Sequence, residues 1–410
     1  MSLDSGPAPQ LLIFRETAAP AVAADQREYP NMKLFRKYLL LVLIAALCIG
    51  CGGSTDSGNA PSTEGEAPAT GSQAPADNAS EGFTKEELEA LEEGARRAPA
   101  GDPAGNPARQ IIAGSSRTKN KGIVGYSALT LTNPFFKIIA DSIIAEGVRN
   151  GFEVVVDDAD RDVKTQSEHI DSYIAQGAQA IILNPCDRLS VGPAIQKANK
   201  AGIPVFTCDL QCVAEGAKIT GHIGTDNFQG GELAGKAMVE VLGGKGGKVL
   251  ILHFKQANSC VLRVDGFMKE INAYNDGRTE GRIEIAAELE GGGVRDEGFK
   301  ATAAALQADP DLAAIFAIND PSALGAYTAL EQAKKVEQVT IIGFDGQLDG
   351  KQAIKDGKIY ADPIQFPAKM GQTSMQNIIK YLNGEEFERE VLIPTALYTK
   401  AEADKDPELK

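Results

Sequence analysis

The 410-residue sequence is poor in the groups that most catalytic centres require. It holds three histidines: His169 in a helical stretch, His222 just before a GTDN segment, and His253 at a strand end. None has metal-ligand spacing, and no Ser-His or Cys-His arrangement stands out. No GxGxxG follows the first strand and no Walker loop occurs. The glycines of GGKGG, from Gly243 to Gly247, precede a strand and read as a turn, not a phosphate cradle. Gly291-Gly292-Gly293 is either a flexible loop or a close approach to a ligand. Basic residues are also in deficit. With 41 Lys and Arg against 56 Asp and Glu, the formal charge is −15, and a nucleic-acid partner, which needs a basic surface, is excluded. The sequence therefore predicts no enzyme, no cofactor and no metal. What is present is apolar: 43% hydrophobic residues, with 15 Phe and 9 Tyr, suffice for a packed core. The length suits one large or two medium domains.

The N-terminal region is addressing, not fold. From Met32 the chain reads MKLFRKYLLLVLIAALCIGCGGS, with Lys33, Arg36 and Lys37 as a basic start and Leu39 to Leu47 as an apolar run. That run is shorter than the roughly 20 residues of a membrane span. Small residues then lead into Cys51, which gives a secretory signal. It resembles the bacterial lipoprotein signal, which implies lipidation at Cys51. The position three before it is Cys48 in place of the usual Leu. An ordinary signal or a short anchor is the alternative. Residues 1–51 are thus read as an upstream segment plus signal. Residues 52–118, rich in Ser, Gly, Ala, Pro, Thr and Glu, are expected to be a disordered tether. A short acidic helix over 85–97 interrupts it, with Thr84 and Glu87 at capping-box spacing.

From Lys121 the pattern changes. Eight apolar runs (KGIVGYSAL, FEVVVDD, AIILNPCD, IPVFTCD, GKVLILHF, IEIAAELE, AAIFAIND and VTIIGFD) read as strands, separated by stretches with helical spacing. Such alternation predicts an α/β protein with parallel sheets covered on both faces. The strands are too many for one ordinary sheet, so two doubly wound lobes are expected. Asp157, Asn184, Asp209, Asn319 and Asp345 each end an apolar run, at the sheet edge where ligands bind in open α/β folds. For about half of these five, turn or helix capping is explanation enough. The others form a polar cluster suited to a neutral, hydroxyl-rich ligand. Four cysteines lie beyond the signal: Cys186, Cys208, Cys212 and Cys260. Secretion allows a disulfide, with Cys208 and Cys212 close enough for a local bridge, but spacing does not fix a pairing.

Several segments occur in a set order: TNPFF (132–136), the Cys208-Asp209 after VFT, HIGTDN with GGELAG, RVDGF (263–267), NDPSALGA from Asn319, and GFDG with PIQFP. Their order and spacing resemble the ribose-binding-like periplasmic sugar-binding proteins of ABC uptake systems, over roughly residues 120–400. The resemblance implies a type I periplasmic binding protein fold, with two doubly wound parallel-sheet lobes joined by a three-crossover hinge. Lobe 1 would hold 119–225 plus 366–392, and lobe 2 would hold 226–365 plus 393–402.

The same resemblance implies a site. Asn133 would bond a sugar hydroxyl, and Phe135 and Phe136 would stack on an apolar sugar face, unless one ring is simply core. Asp209 would accept hydroxyl hydrogen bonds as the acidic anchor. Arg263 would present its planar fork to paired hydroxyls, a surface arginine being the alternative. Asn319, Asp345 and Gln365 would supply second-lobe and hinge contacts, each with turn capping as the alternative. Two positions depart from the family pattern. Leu210 stands where an Arg usually follows the anchor, and the second-lobe aromatic aligns near Gly293. Both losses make ribose itself doubtful and leave another pentose, a hexose or a polyol open.

The expected role is an extracytoplasmic solute-binding lipoprotein of a sugar ABC uptake system, working by lobe closure. Its partners would be a small sugar or polyol, an ABC permease, and a membrane reached through the lipid anchor, with the protein a periplasmic or cell-surface monomer. A receptor component presenting an autoinducer-like or polyol signal to a sensor or chemoreceptor is the second reading. A LacI-like repressor shares this core, but a signal and an acidic linker occupy the place of a basic helix-turn-helix.

Overall fold

A computed structural model describes residues 121–409. The signal with Cys51, the tether 52–118 and its acidic helix lie outside the described residues. Two six-stranded sheets organise the rest. The first contains β1 (Ile123–Ala128), β2 (Glu153–Asp158), β3 (Ala180–Leu183), β4 (Val205–Cys208), β5 (Gly221–Thr225) and a late strand, β11 (Glu390–Ile393). The second contains β6 (Gly247–His253), β7 (Ile283–Glu290), β8 (Leu312–Ala317), β9 (Thr340–Ile342), β10 (Ala361–Pro363) and β12 (Leu397–Thr399). The spatial orders are β11-β5-β4-β3-β1-β2 and β12-β10-β9-β8-β6-β7. All neighbours are parallel except β10 and β12. Helices α1 (Pro134–Arg149), α2 (Val163–Ala175), α3 (Gly192–Lys200), α4 (Asn227–Leu242), α5 (Asn258–Asn275), α6 (Arg295–Ala308), α7 (Asp320–Gln332), α8 (Leu348–Lys355), α9 (Pro367–Leu382) and α10 (Lys400–Ala403) complete the described chain.

Strand composition follows position in the sheet. Central β3 (AIIL) and β4 (VFTC) are buried at every residue, as helices on both faces require. Edge strand β7 alternates, with its even-numbered residues the more exposed. Helix starts are set by local chemistry. Asn133, Asp162, Asp226 and Asn319 cap α1, α2, α4 and α7 through their side chains. None of the described helices is long and apolar enough to cross a membrane.

The chain passes between the sheets three times. It leaves the first after β5, since α4 packs on α5 and on β8, β9 and β10. It returns after β10, since α9 packs on α1, β4 and β5. It leaves again between β11 and β12. Ile393 is the last residue of β11 and pairs with Thr225, so it belongs to the first sheet, one residue beyond the boundary that the family resemblance implies.

Helices α4 and α5 touch at their glycines. A Cβ on Gly231 would lie 2.1 Å from the Arg263 carbonyl oxygen, and one on Gly266 would lie 2.1 Å from that of Phe228. The glycines of GGELAG and RVDGF therefore let two backbones meet, and this contact sets where Arg263 stands. Beneath it, the Phe267 and Phe316 rings stack at 4.4 Å.

Candidate ligand-binding site

Both sheets turn their C-terminal edges to one cavity of about 410 Å³ of empty space, part of it open to solvent. All eight residues singled out in the sequence line it: Asn133, Phe135, Phe136, Asp209, Arg263, Asn319, Asp345 and Gln365. Of the five polar residues that end apolar runs, Asp209, Asn319 and Asp345 reach the cavity. Asp157 instead accepts a hydrogen bond from the Tyr173 hydroxyl at 2.7 Å, and Asn184 donates to the Cys208 carbonyl at 2.5 Å. These two serve the first sheet's interior.

Asp209 lies at the end of β4 with a left-handed backbone (φ 59°), its N–H held by the Ile223 carbonyl at 2.7 Å. Its carboxylate is 3% exposed, and Oδ1 bonds no described residue. Burial pushes its pKa up to about 7, against the pull of Arg263. A buried carboxylate oxygen without a donor is costly unless a ligand supplies one.

Arg263, on α5, is held on two sides. Nε donates to Asn227 Oδ1 at 2.8 Å, and Nη1 donates to the Ile318 carbonyl at 2.7 Å and to Asp345 Oδ1 at 2.9 Å. The guanidinium lies over the Phe344 ring, 3.9 Å from its centroid. Nη2 bonds no described residue. Asp345 follows β9 with φ 106°, and burial raises its pKa while Arg263 and Gln365 pull it back. Gln365 donates to Asp345 Oδ1 at 2.5 Å and accepts from the Thr225 hydroxyl at 2.8 Å. One polar chain therefore runs from Arg263 through Asp345 and Gln365 to the end of β5, across the hinge.

The remaining residues combine capping with lining. Asn133 Oδ1 accepts from the Phe135 N–H at 3.0 Å. Asn319 Oδ1 accepts from the Ser322 N–H, and its Nδ2 donates to the Gly293 carbonyl at 3.1 Å. Capping and cavity lining thus coincide in the same asparagines. Phe135 and Phe136 meet edge to face, 5.4 Å between centroids, and both are buried in the first lobe's core while facing the cavity.

Leu210 and Gly293, the two departing positions, line the cavity as well, and so do Arg161, Phe254, Leu129, Ala257, Ser259 and Cys260, which were not foreseen as ligand contacts. Leu210 and Gly293 carry the two losses that the family pattern implies, a donor and an aromatic. Around Gly293 the structure places two other groups. Arg161, after β2, lies over the Phe254 ring, 4.9 Å from its centroid, and Phe254 enters from the end of β6. Neither belongs to a motif, and no signal in the sequence marks them. The cysteines at 186, 208, 212 and 260 are all free, so the local bridge from Cys208 to Cys212 does not form. Among the described residues no group of three or more His, Cys, Asp or Glu could hold a metal.

Two α/β lobes enclosing a polar cavity at their facing sheet edges have the layout of a binding protein for a small solute. A family model described as a periplasmic binding protein domain matches residues 124–386, and the chain belongs to that family. It is 31% identical over 286 residues to the ribose import binding protein of Bacillus subtilis, covering 70% of this chain and 90% of that one. It is 32% identical over 275 residues to the D-apiose import binding protein of Paraburkholderia graminis, covering 67% and 86%. Among solved structures, an ABC transporter periplasmic solute binding protein from Actinobacillus succinogenes with bound D-allose superposes with a TM-score of 0.63. That match is 27% identical and covers 70% of this chain and all of the other. These relatives are sugar-binding transport proteins and not enzymes, and the fold they share is the type I periplasmic binding protein fold.

Proposed function

We propose that this chain is the extracytoplasmic solute-binding component of a sugar ABC uptake system. It binds one small sugar or polyol by lobe closure, works as a monomer, and is held at the membrane by a lipid on Cys51. The observation that carries this reading is the pairing of unmet hydrogen-bonding groups in one cavity. Asp209 Oδ1 lacks a donor, and Arg263 Nη2 lacks an acceptor. A vicinal diol supplies both, since each hydroxyl donates and accepts. Phe135 and Phe136 offer the apolar surface that a sugar ring's C–H face requires. Relatives that import ribose and apiose support the class of ligand, and the departures at Leu210 and Gly293 keep its identity open.

The test is a thermal-shift screen of the mature chain with D-ribose, D-apiose, D-allose, D-galactose and myo-inositol. Binding to the folded state alone raises stability by RT ln(1 + [L]/Kd), about 2.7 kcal/mol at a hundredfold excess over Kd. A saturable shift with one of these compounds is expected, and no shift with any of them would overturn the sugar reading. The anchor is tested separately. Cys51→Ala should move the protein from the membrane fraction to the soluble one, and unchanged fractionation would remove the lipid from the account.

A further inference from the structure

We infer that Arg161 and Phe254, on opposite lobes, form a latch that selects and retains the ligand in the closed cavity. This rests on the binding reading above and extends it to residues that carry no motif. Four observations meet at one corner. Arg161 belongs to the first lobe, yet Nη2 donates to the Gly292 carbonyl of the second. Its guanidinium covers one face of the second-lobe Phe254 ring. A Cβ on Gly293 would lie 3.8 Å from Arg161 Nη2, 3.6 Å from Phe254 Cδ1 and 3.3 Å from Asn319 Nδ2, so the bare glycine marks the point on which all three converge. Finally, no carboxylate among the described residues forms an ion pair with Arg161, although the guanidinium is partly buried at a cavity wall.

The backbone supports the same conclusion. Asp160 and Arg161 are consecutive non-glycine residues with left-handed conformations, φ 47° and 62°. Such geometry is disfavoured, and it persists where surrounding bonds over-determine it. Here Arg161 N–H donates to the Leu129 carbonyl at 2.8 Å, Asp160 N–H to Asp158 Oδ1 at 2.9 Å, and Asp162 N–H to the Ala159 carbonyl at 2.9 Å. The strained turn aims the guanidinium across the cleft. Arg161 supplies the planar donor that Leu210 cannot, and Phe254 supplies the ring that Gly293 cannot. A guanidinium offers five N–H donors, and the bond to Gly292 occupies one nitrogen, so further donors face the cavity for ligand oxygens. Because the same group binds the opposite lobe, it contributes only when the lobes are closed.

The experiment measures affinity and dissociation rate for the five compounds of the screen in wild type, Arg161→Ala, Arg161→Lys and Phe254→Leu. Arg161→Ala is expected to weaken binding about 10- to 100-fold, the range for loss of a charged hydrogen bond. Most of that change should fall in the dissociation rate, because the latch acts after closure. Melting of the unliganded variant should stay near wild type, a separation that a merely structural role would not produce. Arg161→Lys, which keeps the charge and loses the planar fork, is expected to recover only part of the affinity. Phe254→Leu tests the same latch from the other lobe and decides the matter if Arg161→Ala fails to fold. If the wild type binds a sugar and these variants bind it equally well, the latch is refuted while the binding function stands. If the wild type binds none of the five, the sugar reading itself falls and takes the latch with it.

Discussion

Arg263 and Asp345 form a buried ion pair, Nη1 to Oδ1 at 2.9 Å, with side chains 4% and 6% exposed. The pair joins α5 to the loop after β9 and places both groups at the cavity wall. Removing one member of a buried pair leaves the other uncompensated, at a cost of about 3–5 kcal/mol. Arg263→Ala is therefore expected to lower unfolding stability by that amount as well as to weaken sugar binding. Asp209→Ala removes a carboxylate whose Oδ1 has no partner, so it should leave unliganded stability equal or higher while removing sugar-induced stabilisation. Urea denaturation with and without sugar distinguishes the two. Equal stability losses in both variants would contradict this division.

Asp209 makes binding depend on pH. Its pKa stands at about 7 in the folded protein against an ordinary 3.8. Between those values the folded chain keeps a proton that the unfolded chain has released. Its contribution to stability is therefore complete below the lower value and declines as pH rises toward the upper one. Ligand hydroxyls that donate to the carboxylate favour its ionised form. Affinity should rise from about pH 5 to about pH 8 and level off above, with a proton released on binding near pH 6. Calorimetry in buffers of different ionisation heat reads that proton. Asp209→Asn should flatten the profile, and a wild-type profile that falls with pH would contradict the assignment.

Two buried carboxylates of the second lobe, Asp320 at the start of α7 and Asp362 in β10, carry a further pH dependence. Asp320 and Asp362 are fully buried, and the Asp362 charge helps to raise the Asp320 carboxyl. Burial raises both, Asp362 to about 6 and Asp320 well above its ordinary range, where the Asp362 charge adds to the effect. Both charges together are disfavoured. Their joint contribution is thus largest in acid and is lost as pH rises through about 6. Asp362→Asn should stabilise the protein by about 1–3 kcal/mol near pH 8 and by much less near pH 4, since a neutral amide replaces a carboxylate whose charge is buried, burial being the main cause of its raised pKa. Melting curves at the two pH values check this, and equal effects at both would refute it.

Gly231→Ala should destabilise the chain by about 1–3 kcal/mol, the usual cost of overpacking. The new methyl meets the Arg263 carbonyl and must push α4 from α5. Because that contact positions Arg263, sugar affinity should fall together with stability. Affinity at wild-type level in a destabilised variant would show that the guanidinium is placed independently of the helix contact.

The fold was legible where periodicity is strong. Eight strands with long apolar runs announce themselves, and their alternation with helices implies parallel sheets. Four strands did not. β5 reads GHIGT, and β10 and β12 have three residues each, too few for a period. β11 (EVLI) is exposed or half-buried at three of its four residues. Such strands are specified by neighbours already in place and not by their own pattern. Helix α5 begins at Asn258, well before the FMKEINAYN segment that shows helical spacing, because its first turns face the polar cavity and break the apolar stripe. The candidate site was legible through ordered motifs, and the structure gathers those eight residues in one cavity. Arg161 and Phe254 were not, because a single arginine after a strand and a single phenylalanine at a strand end look like surface and core. Only the tertiary meeting over Gly293 distinguishes them.

The place of β11 has a consequence for how the molecule matures. Its residues pair with β5, Glu390 against His222 and Ile393 against Thr225, although the whole second sheet except β12 lies between them in sequence. Until the last part of the chain emerges, β5 presents an unpaired edge, and α9 is missing from the face of β4 and β5. Long-range pairings of this kind form slowly. The first lobe, although it starts the described chain, therefore completes its sheet only after the second lobe has been synthesised, so the two lobes finish folding together and not in chain order.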